Sequence, residues 1–100
     1  MDKLLYVMLL KEGGRTDHEG SEEVVIQHVA HIKNLDDKGQ LVLCGPLMDY
    51  PGVPGMIIFR AESYEAAEAV CKVEPLVVAG YATYKLVTLQ PGNRENNYLL

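Results

Sequence analysis

A two-layer α+β fold, with helices packed on an antiparallel sheet, is predicted by three observations. Four short apolar runs are bounded by glycine, proline and polar breaks. Two longer segments carry helix-start and helix-stop signals. Their order is strand, helix, strand, strand, helix, strand. A chain of 100 residues fits one such domain and leaves no room for a separate cofactor domain.

The first strand spans residues 3–10 and is broken by Lys11-Glu12-Gly13-Gly14-Arg15. Polar residues continue to Gly20, after which Ser21 is expected to cap a helix whose first positions are Glu22 and Glu23, where negative charge complements the helix dipole. This helix runs to about Lys38 and stops at Gly39, a common residue just past a helix end. The second strand, 40–44, ends at Gly45-Pro46. Residues 47–54, with two prolines and a glycine, form a loop, and the third strand covers 56–60. Ser63 caps a second helix, 64–72, whose alanines at 66, 67 and 69 allow close approach to a sheet. Glu74-Pro75 interrupts that helix, because the residue before proline is pushed out of the α region. A turn at 76–79 and Gly80 lead to the last strand, 81–89, which ends at Pro91-Gly92. The domain is expected to span 1–90, and 91–100 to be a tail with no core-forming period.

This βαββαβ order is the split βαβ pattern of the ferredoxin-like fold. Both helices cover one face of the sheet and leave the other open. The first strand is apolar on both alternations, with Leu4, Tyr6, Met8 and Leu10 on one side and Leu5, Val7 and Leu9 on the other. The open face is therefore hydrophobic, and a second copy of the chain is expected to cover it, sheet against sheet.

Composition narrows the function. A formal charge of −5 disfavours a nucleic-acid partner. The seven-residue apolar run at 4–10 is too short to cross a membrane and has neither a basic leader nor a cleavage signal beside it. Cys44 and Cys71 form no paired motif and read as reduced, buried thiols in a cytoplasmic protein. Gly13-Gly14 lacks the lysine spacing of a phosphate-binding loop.

The first helix carries the chemistry. At about 100° per residue, with Val25 at zero, Val29 falls near ~40°, Ile32 near ~340°, Leu35 near ~280° and Val24 near ~260°. His28 falls near ~300°, inside this apolar arc, and His31 near ~240°, at its edge. A titratable group in an aliphatic wall is a candidate site residue, and a core histidine bonded to backbone is the plainer alternative. His28-x-x-His31 also has a spacing that zinc ligands use, but two histidines are not a site. Nothing favours Asp49, Glu74 or Cys44 as a third ligand, so neither a metal nor another cofactor is expected. His18 lies in a polar loop and is expected to be solvated.

Several segments together resemble the YciI-like family of the dimeric α+β barrel superfamily. They are Leu5-Tyr6-Val7; His28-Val29-Ala30-His31-Ile32 with Leu35; Gly39 through Pro46; Ser63-Tyr64-Glu65-Ala66-Ala67; and Glu74-Pro75-Leu76-Val77-Val78-Ala79-Gly80. The resemblance implies a homodimer and a histidine on the first helix paired with an aspartate in an Asp-Pro step before the last strand. His28 matches the histidine, and Glu74 stands in the place of the aspartate, its side chain one methylene longer. A carboxylate that accepts an imidazole N–H fixes the tautomer, leaving the other ring nitrogen to take or give a proton.

Relatives of the family include a dehydrochlorinase acting on a chlorinated hydroxyhydroquinone, and the superfamily includes muconolactone isomerase. Both imply a cofactor-independent lyase or isomerase acting on a small cyclic or aromatic compound, with His28 as acid/base and Glu74 as its orienter. Asp49, Tyr50 and His31 are the expected substrate-binding residues. The competing reading is a non-catalytic dimer that binds a small ligand or uses the pair only to hold helix to sheet. A monooxygenase handling quinols is a further alternative.

Overall fold

The computed structural model describes residues 3–100; Met1 and Asp2, at the start of the N-terminal segment read above, lie outside the described residues. The elements are β1 (Leu5–Glu12), α1 (Ser21–Asp37), β2 (Leu41–Pro46), β3 (Gly55–Phe59), α2 (Tyr64–Lys72), α3 (Pro75–Val78) and β4 (Ala82–Leu89). A 3-10 turn at Asn97–Leu99 follows in the tail. The four strands form one antiparallel sheet in the order β2-β3-β1-β4. The first and third strands are thus central, as the ferredoxin-like pattern requires. Among the described residues no helix is long and apolar enough to cross a membrane.

Strand alternation decides which side chains meet the helices. On β1, Tyr6, Met8 and Leu10 are buried, while Leu5, Val7 and Leu9 are half-buried on the opposite face. Ile57 and Phe59 of β3, Ala82 and Leu86 of β4, Leu35 of α1, and Ala67 and Cys71 of α2 complete the core. Met8 and Phe59 are fully buried, each worth on the order of 1.5–3 kcal/mol of transfer free energy. Ala67, also fully buried, is the small residue that lets α2 lie close to the sheet.

Four local expectations change. Helix α1 is preceded by Gly20 in the left-handed region, with no side-chain cap, so Ser21 is its first helical residue rather than its cap. Gly45 and Pro46 continue β2 instead of ending it. An edge strand tolerates this, because a proline there need not donate to a neighbour. The turn after Glu74 is a one-turn helix, α3, with Pro75 at its first position. On α1 the inward stripe is centred near Leu35 and His28, whereas Val25 and Val29 are 50% and 44% exposed. The inward face therefore lies on the Val24, His28 and Leu35 side of the predicted arc, and Val25 and Val29 fall outside it.

The end of α1 agrees with its sequence signal. Gly39 has φ 72°, and its N–H donates to the Asp36 carbonyl at 2.9 Å while Gln40 N–H reaches the Leu35 carbonyl at 2.9 Å. These two bonds satisfy orphan carbonyls of the last turn and point the chain back into β2.

Candidate active site

Glu74 is the only buried charged or polar residue of the described core, with no exposed surface. Its backbone is extended (φ −62°, ψ 125°), as expected before proline. That conformation turns its side chain back over the start of α3. There Oε2 accepts from the N–H groups of Leu76, at 2.8 Å, and Val77, at 3.3 Å. The other oxygen, Oε1, meets Nδ1 of His28 across the α1–α3 packing. With Oε2 occupied by two donors, Oε1 takes the Nδ1–H, which leaves Nε2 as the free nitrogen of the ring.

The His28 side chain is 23% exposed and forms part of the wall of a cleft of about 390 Å³. The cleft opens between α1 and the ends of β1, β2 and β3. His28 and Ile32 line it from the helix, Leu10 and Ile57 from the sheet, and Cys44 and Tyr81 from its margins. Cys44 is exposed, contrary to the buried thiol expected, because β2 is an edge strand that α1 only partly covers. Cys71 is buried, and its burial pushes the thiol up to about 12. A larger hollow of about 580 Å³ lies at the other end of the sheet, lined by Lys3, Tyr6, Gln40 and Arg60. It has no histidine and no buried carboxylate among its lining residues.

The remaining predicted residues fall elsewhere. Asp49 and Tyr50 sit on the exposed β2–β3 turn, with Tyr50 58% exposed, and neither lines the cleft. The turn reaches the cleft only through its flanks, Pro46 and Pro54. His31 is half-buried beside the pair, does not line the cleft, and its Nε2 is buried without a hydrogen-bond partner. Burial holds His31 below its ordinary value of 6.5; the nearby Glu74 charge opposes this, and His28 and Lys38 add to it. His18 is exposed. Among the described residues no group of three His, Cys, Asp or Glu side chains is placed to hold a metal ion.

Two features of the site were missed in the sequence. The cap that Glu74 provides was signalled by an acidic residue directly before a proline at a helix start. Tyr81 carried no such signal, because its contacts come from the β1–α1 loop, more than sixty residues away.

Comparison with known proteins bears on the family and the fold. A model of the YCII-related domain matches residues 4–90. The chain is 35% identical over 72 residues to Protein YciI of Escherichia coli O6:H1, covering 64% of this chain and 71% of that protein. The same figures hold for Protein YciI of Shigella flexneri. In fold it is similar to the 5-chloro-2-hydroxyhydroquinone dehydrochlorinase of Burkholderia phenoliruptrix, solved in complex with 2,5-dihydroxybenzoquinone. The TM-score is 0.65 at 15% identity, over 93% of this chain and 98% of that one. The chain belongs to the YCII-related domain family.

Proposed function

We propose that the protein is a cofactor-independent lyase or isomerase that moves a proton on a small cyclic compound, with His28 as acid/base and Glu74 as the residue that orients it. The observation that carries this reading is the His28–Glu74 contact in the wall of an open, largely apolar cleft. Glu74 holds Nδ1 protonated and the ring fixed, so Nε2 is the atom available to a ligand. In an elimination, Nε2 takes a proton from the ring or a ring hydroxyl. The electron pair released forms the new double bond as the leaving group departs with its own pair. In an isomerisation the same nitrogen returns the proton to a different carbon. A positioned group of this kind contributes typically about 10²–10⁴-fold to rate.

The substrate class draws support from the dehydrochlorinase of similar fold, whose named substrate is a chlorinated, hydroxylated ring. Screening hydroxylated and halogenated aromatics and lactones with the native protein and with His28→Ala tests the reading. Turnover by the native protein alone is expected; equal turnover by both would remove His28 from the chemistry.

The working unit is a homodimer in this reading. The open sheet face carries Leu43, Val87 and Leu89, which are 59%, 38% and 42% exposed, beside Leu5, Val7 and Leu9. A second copy is the partner whose own open face matches it in shape and polarity.

One observation favours the non-catalytic alternative. Glu74 caps α3 and ties α3 to α1 with three contacts, work that it would do in a purely binding protein as well. Saturable binding of panel compounds without turnover would select that alternative.

A further inference from the structure

Tyr81 is held by a set of contacts that the proton-transfer chemistry does not use. Its hydroxyl donates to the Glu19 carbonyl at 3.1 Å and lies 3.3 Å from Asp17 Oδ1. The Arg15 guanidinium stands over its ring, 4.5 Å from the centroid. Arg15 is itself fixed on three sides: to Asp17 at 2.7 Å, to the Ala79 carbonyl at 3.1 Å and to the Glu19 carbonyl at 3.0 Å. Backbone bonds from Gly13 N–H to the Tyr81 carbonyl, 3.0 Å, and from Arg15 N–H to the Gly80 carbonyl, 3.2 Å, dock the whole β1–α1 loop here. Gly13 permits this approach, since a Cβ there would lie 2.4 Å from the Gly80 carbonyl oxygen.

The clamp therefore fixes the ring of Tyr81, a residue that lines the cleft containing His28. One face of that ring is covered by Arg15, and its hydroxyl is already bonded. From this geometry we infer that Tyr81 is a specificity-determining residue: its remaining aromatic surface packs against a planar, unsaturated ring held in the cleft and selects it over a saturated ring of the same size. The inference rests on the reading of the cleft as the substrate site. A fixed ring loses little freedom on binding, and aromatic pairs gain from offset or edge-to-face packing beyond their buried area.

The test compares hydroquinone with trans-cyclohexane-1,4-diol, which keeps two hydroxyls at opposite ends of a six-membered ring but lacks the planar π face, by NMR titration at millimolar concentration. The native protein is expected to bind hydroquinone more tightly, with a larger shift of the Tyr81 ring resonances than the diol produces. Tyr81→Leu should weaken hydroquinone about three- to ten-fold and leave the diol unchanged. Tyr81→Phe should keep the preference, because it keeps the ring. Equal affinity of the native protein for the two probes, an unchanged preference in Tyr81→Leu, or an absent Tyr81 ring shift overturns the inference. If Tyr81→Leu does not fold, the ring shift in the native protein and the preference in Tyr81→Phe decide alone. Turnover by the native protein and by His28→Ala separates the two claims. Planar preference that needs Tyr81, with equal turnover by both proteins, upholds this inference and removes the proposed chemistry. Turnover that needs His28 in a protein whose preference ignores Tyr81 does the reverse. No binding of hydroquinone at millimolar concentration overturns this inference and leaves the chemistry to the turnover screen.

Discussion

Glu74 shows how much one side chain can be asked to do. Its two oxygens satisfy two backbone donors and one imidazole, and the side chain itself has no exposed surface. Glu74→Ala leaves those donors buried and unpaired, and should cost about 2–4 kcal/mol in urea unfolding. Glu74→Asp keeps an acceptor suited to the helix cap but shortens the reach to His28, and should cost only about 1 kcal/mol. His31 supplies a pH dependence. Burial lowers its affinity for a proton in the fold, so below its ordinary value of 6.5 the unfolded chain binds a proton that the folded chain refuses. Stability therefore falls as pH drops from 6.5 towards the lower folded value, and His31→Gln should flatten that part of the urea-midpoint profile. At this scale the histidine was legible because it interrupts an apolar helix face. The capping duty of Glu74 was signalled only by the Glu-Pro step, because the one-turn helix it starts is too short to show a period.

At the scale of elements, two serines at helix starts make a matched comparison. Ser63 Oγ accepts from the Ala66 N–H at 3.0 Å, whereas Ser21 lies inside α1 and caps nothing. Ser63→Ala should lower stability by about 0.5–2 kcal/mol, and Ser21→Ala should leave it nearly unchanged, both read from thermal unfolding. The sequence shows a good capping residue in both places. What separates them is Gly20, whose positive φ turns the chain into the helix one residue earlier. A similar shift affected the face of α1. The apolar arc runs from Val24 and Leu35 through Ile32 to Val25 and Val29, and only the packing against α3 and the sheet shows that Val25 and Val29 turn outward while Val24, His28, His31, Ile32 and Leu35 lie on the buried side. Strand positions were easier to place, because burial alternates with every residue along β1 and β3.

The whole molecule has one face finished and one unfinished. The order βαββαβ already implied helices on a single side of the sheet, and the strand order and antiparallel register follow that plan. Val7 lies at the centre of the open face, between Val87 of β4 and Ile58 of β3. Val7→Glu should convert a dimer at micromolar concentration to monomer in light scattering while the far-ultraviolet spectrum stays native; a native chain that is already monomeric would refute the dimer. The cleft was less legible than the fold. It is assembled from α1, three strand ends and the chain around Leu76 and Tyr81, and no local spacing records which of those loops will approach. Asp49 and Tyr50 show this, since their turn flanks the cleft and yet holds both side chains outside it.

The central claim is that the nitrogen of His28 left free by Glu74 carries out proton transfer in this cleft. Its most direct test is the kcat/KM of His28→Gln on a compound turned over by the native protein, with urea unfolding measured on the same sample. The expected result is a loss of about 10²–10⁴-fold in kcat/KM with a folded, cooperative protein. Unchanged kcat/KM in that folded variant would contradict the claim and leave the His28–Glu74 pair as a bond between two helices.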